Sequence, residues 1–178
     1  MYISLQELEL RPVRFTVDIP AGEIEFVDPA VQISTLHAAG IAELASHAIG
    51  EIRIRGNLTV AMEAPCDRCL EPARFALSKA FDLVYVPTPE DVGGERAIDE
   101  SGSDVGFYEG AGIELNDVLR EVVLLALPMR WMCEDDCKGI CPSCGRNRNQ
   151  EECACDNKAV DDRWSKLRSI RVETGPGK

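Results

Sequence analysis

The sequence predicts an α+β fold, in which a mainly antiparallel β-sheet with one packed helix is followed by a small cysteine-rich knuckle and a short C-terminal helix. Three observations predict it. Apolar and polar residues alternate in several stretches before residue 87, as in half-buried strands. One stretch near residue 120 carries apolar residues at helical spacing. Eight cysteines occur as four close pairs, and three of the pairs follow that helix.

The first predicted strands lie in the N-terminal third. Arg14–Ile19 and Gly22–Val27 alternate between apolar and polar side chains. Ala42–Ile49 and Ile52–Ala64 predict two further strands around a turn at Gly50-Glu51. In the second of these the apolar residues share one parity, so we expect one buried face and one solvated face.

That last strand leads directly into the first cysteine pair. Cys66 and Cys69 stand between Ile52–Ala64 and a second alternating stretch, Phe75–Val86. We therefore expect a β-hairpin with this pair at its turn. A metal ion bound there would also fix the register of the two strands, because a one-residue slip moves every side chain to the opposite face.

An acidic surface loop is predicted at residues 87–106. The stretch is rich in glycine, proline, serine and acidic residues and has no periodicity. It lacks the spaced Asp/Asn pattern of a calcium-binding loop, so a solvated run of charge is the favoured interpretation.

Leu115–Leu127 is the predicted helix. Asn116 is its expected N-cap, and Pro128 ends it. Because Leu124 and Leu125 widen the apolar face, we expect the helix to be sandwiched against the sheet.

The chain is expected to divide into two units. Residues 1–132 form the antiparallel β-rich α+β domain, and residues 133–178 form a cysteine-rich tail with a terminal helix. That helix is predicted to open at Asp161, with Trp164 on the side expected to face the body.

Charge is distributed unevenly. The net charge is −12, and residues 88–121 alone carry 10 acidic and 2 basic side chains. Residues 122–178 carry 9 acidic and 10 basic side chains, so only this last third is suited to approach phosphate. Aromatic residues make up 6% of the chain, which tells against a large stacking surface for single-stranded nucleic acid.

The cellular compartment decides how the cysteines are interpreted. The N-terminus has no basic segment followed by an apolar run, so no signal peptide is predicted. The longest apolar run, Val122–Met129, is shorter than the ~20 residues of a membrane span. We expect a soluble cytoplasmic protein, where thiols stay reduced and paired cysteines favour metal over disulfides.

Four cysteine pairs can supply two tetrathiolate zinc sites. In chain order the pairs are Cys66 and Cys69, Cys133 and Cys137, Cys141 and Cys144, and Cys153 and Cys155. The favoured grouping joins the first pair with the second and the third with the fourth, because the last two pairs form a contiguous zinc knuckle. The alternative joins the second with the third and leaves the first with the fourth. A single site is the remaining possibility.

These residues do not predict an enzyme. A zinc ion held by four thiolates has no open position for substrate or water, so such sites are structural. The cysteine spacing after Cys133 matches neither ferredoxin pattern, which disfavours an iron–sulfur cluster. The two histidines, His37 and His47, lie far in sequence from any cysteine, and no phosphate-binding glycine loop is present.

The cysteine-bearing segments resemble those of the YceD family, whose members are called large ribosomal RNA subunit accumulation proteins. The resemblance spans nearly the whole chain, and its most specific parts are the segments that carry cysteine. They are Cys66–Pro72 (CDRCLEP), Leu127-Pro128, Cys133–Asn149 (CEDDCKGICPSCGRNRN), Cys153-Ala154-Cys155 and Asp162-Arg163. Two positions depart from the family pattern: Arg148 replaces an expected apolar residue, and Asp162 replaces an expected proline.

The resemblance implies a bacterial or plastid ribosome-biogenesis factor without catalytic activity. It would support accumulation of large-subunit ribosomal RNA by binding precursor RNA, a ribosomal protein or a processing enzyme, with no membrane and no small-molecule substrate. The candidate contact surface surrounds the knuckle and consists of Arg130, Lys138, Arg146, Arg148, Arg163, Lys166 and Arg168. The competing interpretation is that these are solubilising charges beside acidic neighbours such as Asp135.

Two other functions stay open from the sequence. In the first, the chain is a zinc-stabilised adaptor whose acidic segment 88–121 binds a basic partner such as a ribosomal protein. In the second, Cys66 and Cys69 serve redox chemistry or zinc handling. The second is disfavoured because a thioredoxin-like pair is expected in a βαβ unit, whereas this pair stands between strands.

Overall fold

The computed structural model describes residues 1–26, 29–45, 50–88 and 105–155. Eight strands and two helices lie within these ranges. The strands are β1 (Tyr2–Ser4), β2 (Val13–Ile19), β3 (Val31–Gln32), β4 (Leu36–Leu44), β5 (Ile52–Pro65), β6 (Pro72–Pro87), β7 (Val105–Tyr108) and β8 (Gly112–Glu114). The helices are α1 (Leu5–Leu10) and α2 (Leu115–Ala126).

The main sheet has the strand order β2-β4-β5-β6-β7, and β3 pairs with β5 beside β4. All of its pairs are antiparallel except β6–β7, which is parallel. Strands β1 and β8 form a separate two-stranded antiparallel sheet. A mostly antiparallel sheet with few helices confirms the predicted fold class in outline.

The β5–β6 hairpin is the longest feature of the sheet. Its register runs from the pair Ile52–Tyr85 at one end to Pro65–Pro72 at the cysteine turn, as the alternation predicted. Residues of one parity in β5 are buried, because that face carries only apolar side chains and glycine. At about 3.3 Å per residue, the 14 residues of β5 separate the two ends of the hairpin by about 45 Å.

Helix α2 packs one apolar face into the core. Its buried side chains recur at helical spacing and are Leu115, Val118, Leu119, Val122 and Val123. The expected sandwich is wrong, since Leu125 is 75% exposed. The expected cap is also wrong: Glu114 is the N-cap residue and makes no side-chain cap hydrogen bond, while Asn116 lies inside the first turn.

The structure differs from the sequence prediction at several smaller elements. The strand predicted at Gly22–Val27 is absent over the described residues 22–26, where Gly22 has a φ of +94° and the chain turns. Strand β4 begins earlier than the predicted Ala42–Ile49 and ends at Leu44. Helix α1 was not predicted; the Ser4 hydroxyl caps it by accepting from the Glu7 amide at 3.2 Å. Strand β7 begins inside the predicted loop 87–106.

Some predictions lie outside the described residues. They are most of the acidic loop (89–104), the C-terminal helix with Arg163, Lys166 and Arg168, and the position of His47. Among the described helices, neither is long and apolar enough to cross a membrane.

Candidate metal centres

Four thiols meet at the turn of the β5–β6 hairpin. We call Cys66, Cys69, Cys133 and Cys137 the first cluster, and their Sγ atoms all lie within 4.8 Å of one another. The Cys66 and Cys137 sulfurs are 3.8 Å apart, and those of Cys69 and Cys133 are 3.5 Å apart. Four sulfurs at about 2.3 Å from one tetrahedral ion lie about 3.8 Å from each other. The spacing of the thiols therefore fits a single tetrathiolate ion.

The first cluster is shielded from solvent. Cys66, Cys69 and Cys137 are at most 5% exposed, and Cys133 is half-buried. These thiols pack with apolar side chains that include Ala73, and the cluster is separate from the main core. A soft, buried, all-sulfur donor set suits zinc.

A tight turn shapes the cluster on the hairpin side. The Cys66 amide donates to the Glu71 carbonyl at 2.8 Å, and the Leu70 amide donates to the Cys66 carbonyl at 3.0 Å. Leu70 has a φ of +65°, the left-handed conformation that normally favours glycine. This conformation is part of the tight turn that brings the thiols of Cys66 and Cys69 close together.

The segment after α2 returns to this turn through three hydrogen bonds. Asp67 and Trp131 exchange two of them: the Asp67 amide donates to the Trp131 carbonyl at 2.7 Å, and the Trp131 amide donates to Asp67 Oδ2 at 2.8 Å. Arg68 Nη1 donates to the Cys137 carbonyl at 2.8 Å. These contacts carry Cys133 and Cys137 to the hairpin, as the element order predicted.

The remaining four thiols form a second cluster, Cys141, Cys144, Cys153 and Cys155. Their Sγ atoms also lie within 4.8 Å of one another. The Gly145 amide donates to the Cys141 carbonyl at 2.8 Å, and Gly145 has a φ of +73°. Gly145 thus holds the position after its cysteine pair that Leu70 holds after the first pair. The structure brings the thiols together in the grouping that the sequence favoured, and not in the alternative one.

The two clusters are joined by hydrogen bonds between the hairpin turn and the knuckle. The Ile140 amide donates to the Arg68 carbonyl at 2.9 Å. Gly139 allows this approach, since it has a φ of +71° and a Cβ there would lie 3.0 Å from the Arg68 carbonyl oxygen. Glu71 Oε1 accepts from the side-chain amides of Gln150 at 3.1 Å and Asn147 at 3.4 Å.

Asn149 links the knuckle directly to a thiol of the first cluster. Its Nδ2 donates to Cys137 Sγ at 3.2 Å, while its Oδ1 accepts from the Lys138 amide at 2.7 Å. The same donor lowers the pKa of the Cys137 thiol. Asn149, which lies in the knuckle, therefore supports the thiolate form of a first-cluster cysteine twelve positions earlier in the chain.

Each cluster contains one sulfur whose thiolate form is strongly favoured. Burial raises the pKa of Cys66, but backbone hydrogen bonds from Arg68, Cys133 and Cys69 outweigh it and bring the pKa to about 6. Backbone hydrogen bonds from Cys144 and Ser143 lower the pKa of Cys141 to about 6. Both sulfurs accept from amides two and three residues ahead, so the turns themselves favour the ligating, deprotonated form.

Two other thiols, Cys133 and Cys155, hold their protons more tightly. The hydrogen bond with Cys69, followed by burial, raises the pKa of Cys133 to about 12. The hydrogen bond with Cys144, followed by burial, raises the pKa of Cys155 to about 12. Neighbouring sulfurs resist simultaneous ionisation, and a divalent cation among them removes that repulsion.

The basic residues predicted as a contact surface are exposed where the structure describes them. Arg130, Lys138, Arg146 and Arg148 are all exposed, and Arg146 pairs with Glu151 at 3.7 Å. The acidic neighbours 134–136 are exposed as well. Sequence reasoning missed the polar residues that support the clusters, of which Arg68, Glu71 and Asn149 are the clearest. The only signal for them was their place beside the cysteines.

The region that contains both clusters matches a known protein family. The family model for the large ribosomal RNA subunit accumulation protein YceD matches residues 54–171, which include all eight cysteines. The chain belongs to the YceD family. In this YceD-family chain, both thiol clusters lie within the matched region.

Relatives occur in bacteria and in plants. An uncharacterized protein of Mycobacterium tuberculosis is 28% identical over 116 residues, which cover 65% of this chain and 54% of the relative. The chloroplastic YCED homolog 1 of Arabidopsis thaliana, named a large ribosomal RNA subunit accumulation protein, is 24% identical over 145 residues, covering 69% of this chain and 45% of the relative. The maize counterpart is also 24% identical. This YceD-family chain spans about half the length of these relatives. No solved structure matches it.

Proposed function

We propose that this YceD-family chain is a non-enzymatic ribosome-biogenesis factor that supports the accumulation or processing of large-subunit ribosomal RNA. The observation that carries the proposal is the family match over residues 54–171, together with the printed names of the plant relatives. The chain would act in a reducing compartment, either the cytoplasm or a plastid, because its eight cysteines are gathered in two groups that suit metal binding, and thiols stay reduced there.

The two clusters would hold structural zinc. The donor set supports this, since four thiolates at tetrahedral spacing leave no open coordination position. Zinc supplies no reaction step in this role; it closes loops and fixes the segments that carry the ligands. The first cluster would join the tail (133–178) to the β-rich domain (1–132), and the second would fold the knuckle.

The exposed basic residues around the knuckle are the proposed contact with RNA or with a ribosomal protein. Arg130, Lys138 and Arg148 support this interpretation best, because each is exposed and has no acidic partner among the ion pairs of the described residues. Arg163, Lys166 and Arg168 belong to the same proposal from sequence alone. Guanidinium groups pair with phosphate oxygens through two parallel hydrogen bonds.

A genetic complementation experiment tests the proposed function. Deleting the gene should lower the ratio of large-subunit to small-subunit ribosomal RNA, and the wild-type chain should restore it. The variant Arg146→Ala/Arg148→Ala should restore it poorly, and the control Arg14→Ala, an exposed arginine on the edge strand β2, should restore it fully. An unchanged RNA ratio in the deletion strain would refute the proposed function.

A second candidate function is that of an adaptor for a basic protein partner. It is favoured by the charge of segment 88–121, part of which the structure describes. Four exposed carboxylates of that part line one cavity at the end of the β5–β6 hairpin remote from the cysteines. A ribosomal protein, being basic, would suit such a surface.

A further inference from the structure

A cavity of about 350 Å³ lies at the hairpin end remote from the two clusters. Tyr85, at the end of β6, lines it and pairs with Ile52, whereas the cysteine turn closes the opposite end of the same two strands. The cavity combines aromatic rings with carboxylates. The rings belong to Tyr2, Tyr85, Phe107 and Tyr108, and the carboxylates to Glu109, Glu114, Asp117 and Glu121.

Two strand pairings and the start of α2 place these groups around one space. The parallel pairing of β7 with β6 brings Phe107 beside the end of β6. The pairing of β1 with β8 sets Tyr2 opposite Glu114. Helix α2 follows β8 directly and presents Asp117 and Glu121 one turn apart on the same side. The site is thus assembled from five elements, of which β1 and β6 are distant in sequence from the consecutive β7, β8 and α2.

A glycine makes room for the innermost ring. A Cβ on Gly106 would lie 2.4 Å from Tyr85 Cε1, so a larger residue in β7 would displace that ring. The Tyr85 hydroxyl donates to Glu121 Oε2 at 2.7 Å and thereby orients the carboxylate. Burial first, and then the hydrogen bond to Glu121 and the nearby Asp117 charge, raise the pKa of Tyr85 well above its usual value.

The carboxylates of the cavity are poorly neutralised. Glu114 lies 3.5 Å from the Met1 amino group. Across residues 1–26, 29–45, 50–88 and 105–155, no ion pair involves Glu109, Asp117 or Glu121. Two aromatic rings beside them are open to solvent, with Phe107 62% exposed and Tyr2 49% exposed. Solvent-exposed rings thus lie beside three carboxylates that have no ion pair within these ranges.

This combination is suited to a cation that also has an apolar surface. Aromatic faces attract cations, and carboxylates pair with them. A guanidinium group fits both features, because its plane stacks on a ring while its edge pairs with a carboxylate through two hydrogen bonds. The volume is near the lower end of the roughly 300–1,000 Å³ of ligand pockets, so it suits one side chain rather than a large cofactor.

We propose that this cavity binds an arginine side chain of a basic protein partner. The proposal rests on the second candidate function and assigns it a site. Phe107 and Tyr2 would contact the apolar stem and the guanidinium plane, while Asp117 and Glu121 would accept its hydrogen bonds. The partner would therefore meet the chain about 45 Å from the knuckle, at the other end of the hairpin.

Fluorescence anisotropy with a labelled Gly-Arg-Gly-Arg-Gly peptide tests the assignment on the full chain. We expect Glu121→Gln to weaken binding about tenfold, because a charge-assisted hydrogen bond is lost. Phe107→Ala should weaken it about threefold through loss of the cation–π contact. The matched control Glu23→Gln removes the same charge from an exposed carboxylate that does not line the cavity, and should change affinity less than twofold.

Three results would overturn the assignment. One is an equal loss of affinity in Glu121→Gln and Glu23→Gln, which would indicate non-specific attraction to an acidic chain. Another is equally tight binding of the corresponding lysine peptide. The third is undiminished capture of a purified basic ribosomal protein by the Glu121→Gln/Phe107→Ala variant, which would leave the adaptor function standing and place its site elsewhere. Specific peptide binding without capture of any ribosomal protein would support the site and refute the adaptor function.

Discussion

The two thiol clusters have the same donor chemistry but different structural settings. The first joins residues far apart in sequence, with a separation of 64 positions from Cys69 to Cys133, and it is largely buried. The second lies within residues 141–155, and its Cys144 is exposed. Closing a long loop restricts the unfolded chain more than closing a short one. We therefore expect a metal ion in the first cluster to stabilise the whole molecule and a metal ion in the second to organise only the knuckle.

The turns of the two clusters differ at one equivalent position, which is Leu70 in the first and Gly145 in the second. After the second cysteine of its pair, each turn requires a positive φ, which Leu70 adopts at +65° and Gly145 at +73°. Glycine accepts this conformation freely, whereas leucine does not. The Leu70 side chain is 66% exposed, so burial does not offset the strain.

Removing a ligand from each cluster should give the largest contrast. We expect Cys69→Ser to lower the free energy of unfolding by about 4 kcal/mol or more, since it releases a buried, long-range closure. Cys155→Ser should lower it by about 1 kcal/mol, since the unfolding it permits is local. Urea denaturation with enough zinc to fill both clusters measures both losses. Equal losses in the two variants would contradict the proposed difference between the clusters.

The hydrogen bond from Asn149 to Cys137 Sγ should affect mainly the first cluster. Substitution of an outer residue that supports a metal ligand typically weakens metal binding by about 10–100-fold. We expect Asn149→Ala to lower the zinc affinity of the first cluster by that factor, as measured by competition with a chelator. Gln150→Ala is the control, because Gln150 contacts Glu71 and no thiol. An effect of the same size in both variants would indicate a general loosening of the knuckle instead.

Substituting the turn residues Leu70 and Gly145 should have the smallest effect on the free energy of unfolding, and the two effects should be opposite in sign. Leu70→Gly should raise the free energy of unfolding by about 1 kcal/mol, because the strained conformation is relieved. Gly145→Ala should lower it by a similar amount. Thermal or urea denaturation of both variants with zinc bound checks the signs. Destabilisation by Leu70→Gly would mean that the exposed leucine makes a stabilising contact.

Sequence patterns predicted the parts of the fold that depend on local regularity. The alternation in Ile52–Ala64 predicted β5, and the cysteine pair after it predicted the hairpin turn. The apolar spacing after Leu115 predicted α2 to within one residue at its end. Helix α1 was missed because six residues give too few apolar repeats, and β3 was missed because two residues give no period.

The candidate sites were predictable to different degrees. Cysteine spacing favoured the correct grouping of thiols, since ligands close in sequence readily share an ion. It could not show that the Arg68 carbonyl and the Asn149 side chain link the hairpin turn with the knuckle, because these contacts depend on how the knuckle folds back onto the hairpin. The aromatic–carboxylate cavity was invisible for the same reason: Tyr2, Tyr85 and Glu121 meet only through strand pairing and the placement of α2.

The most direct test of the two-cluster account is the zinc content of the purified protein, measured by native mass spectrometry for wild type and two variants. We expect two ions per wild-type chain, and one ion each in Cys66→Ala and Cys153→Ala, because each substitution removes a ligand from only one cluster. A single ion in the wild type, or loss of both ions from the Cys153→Ala variant, would contradict two separate tetrathiolate sites.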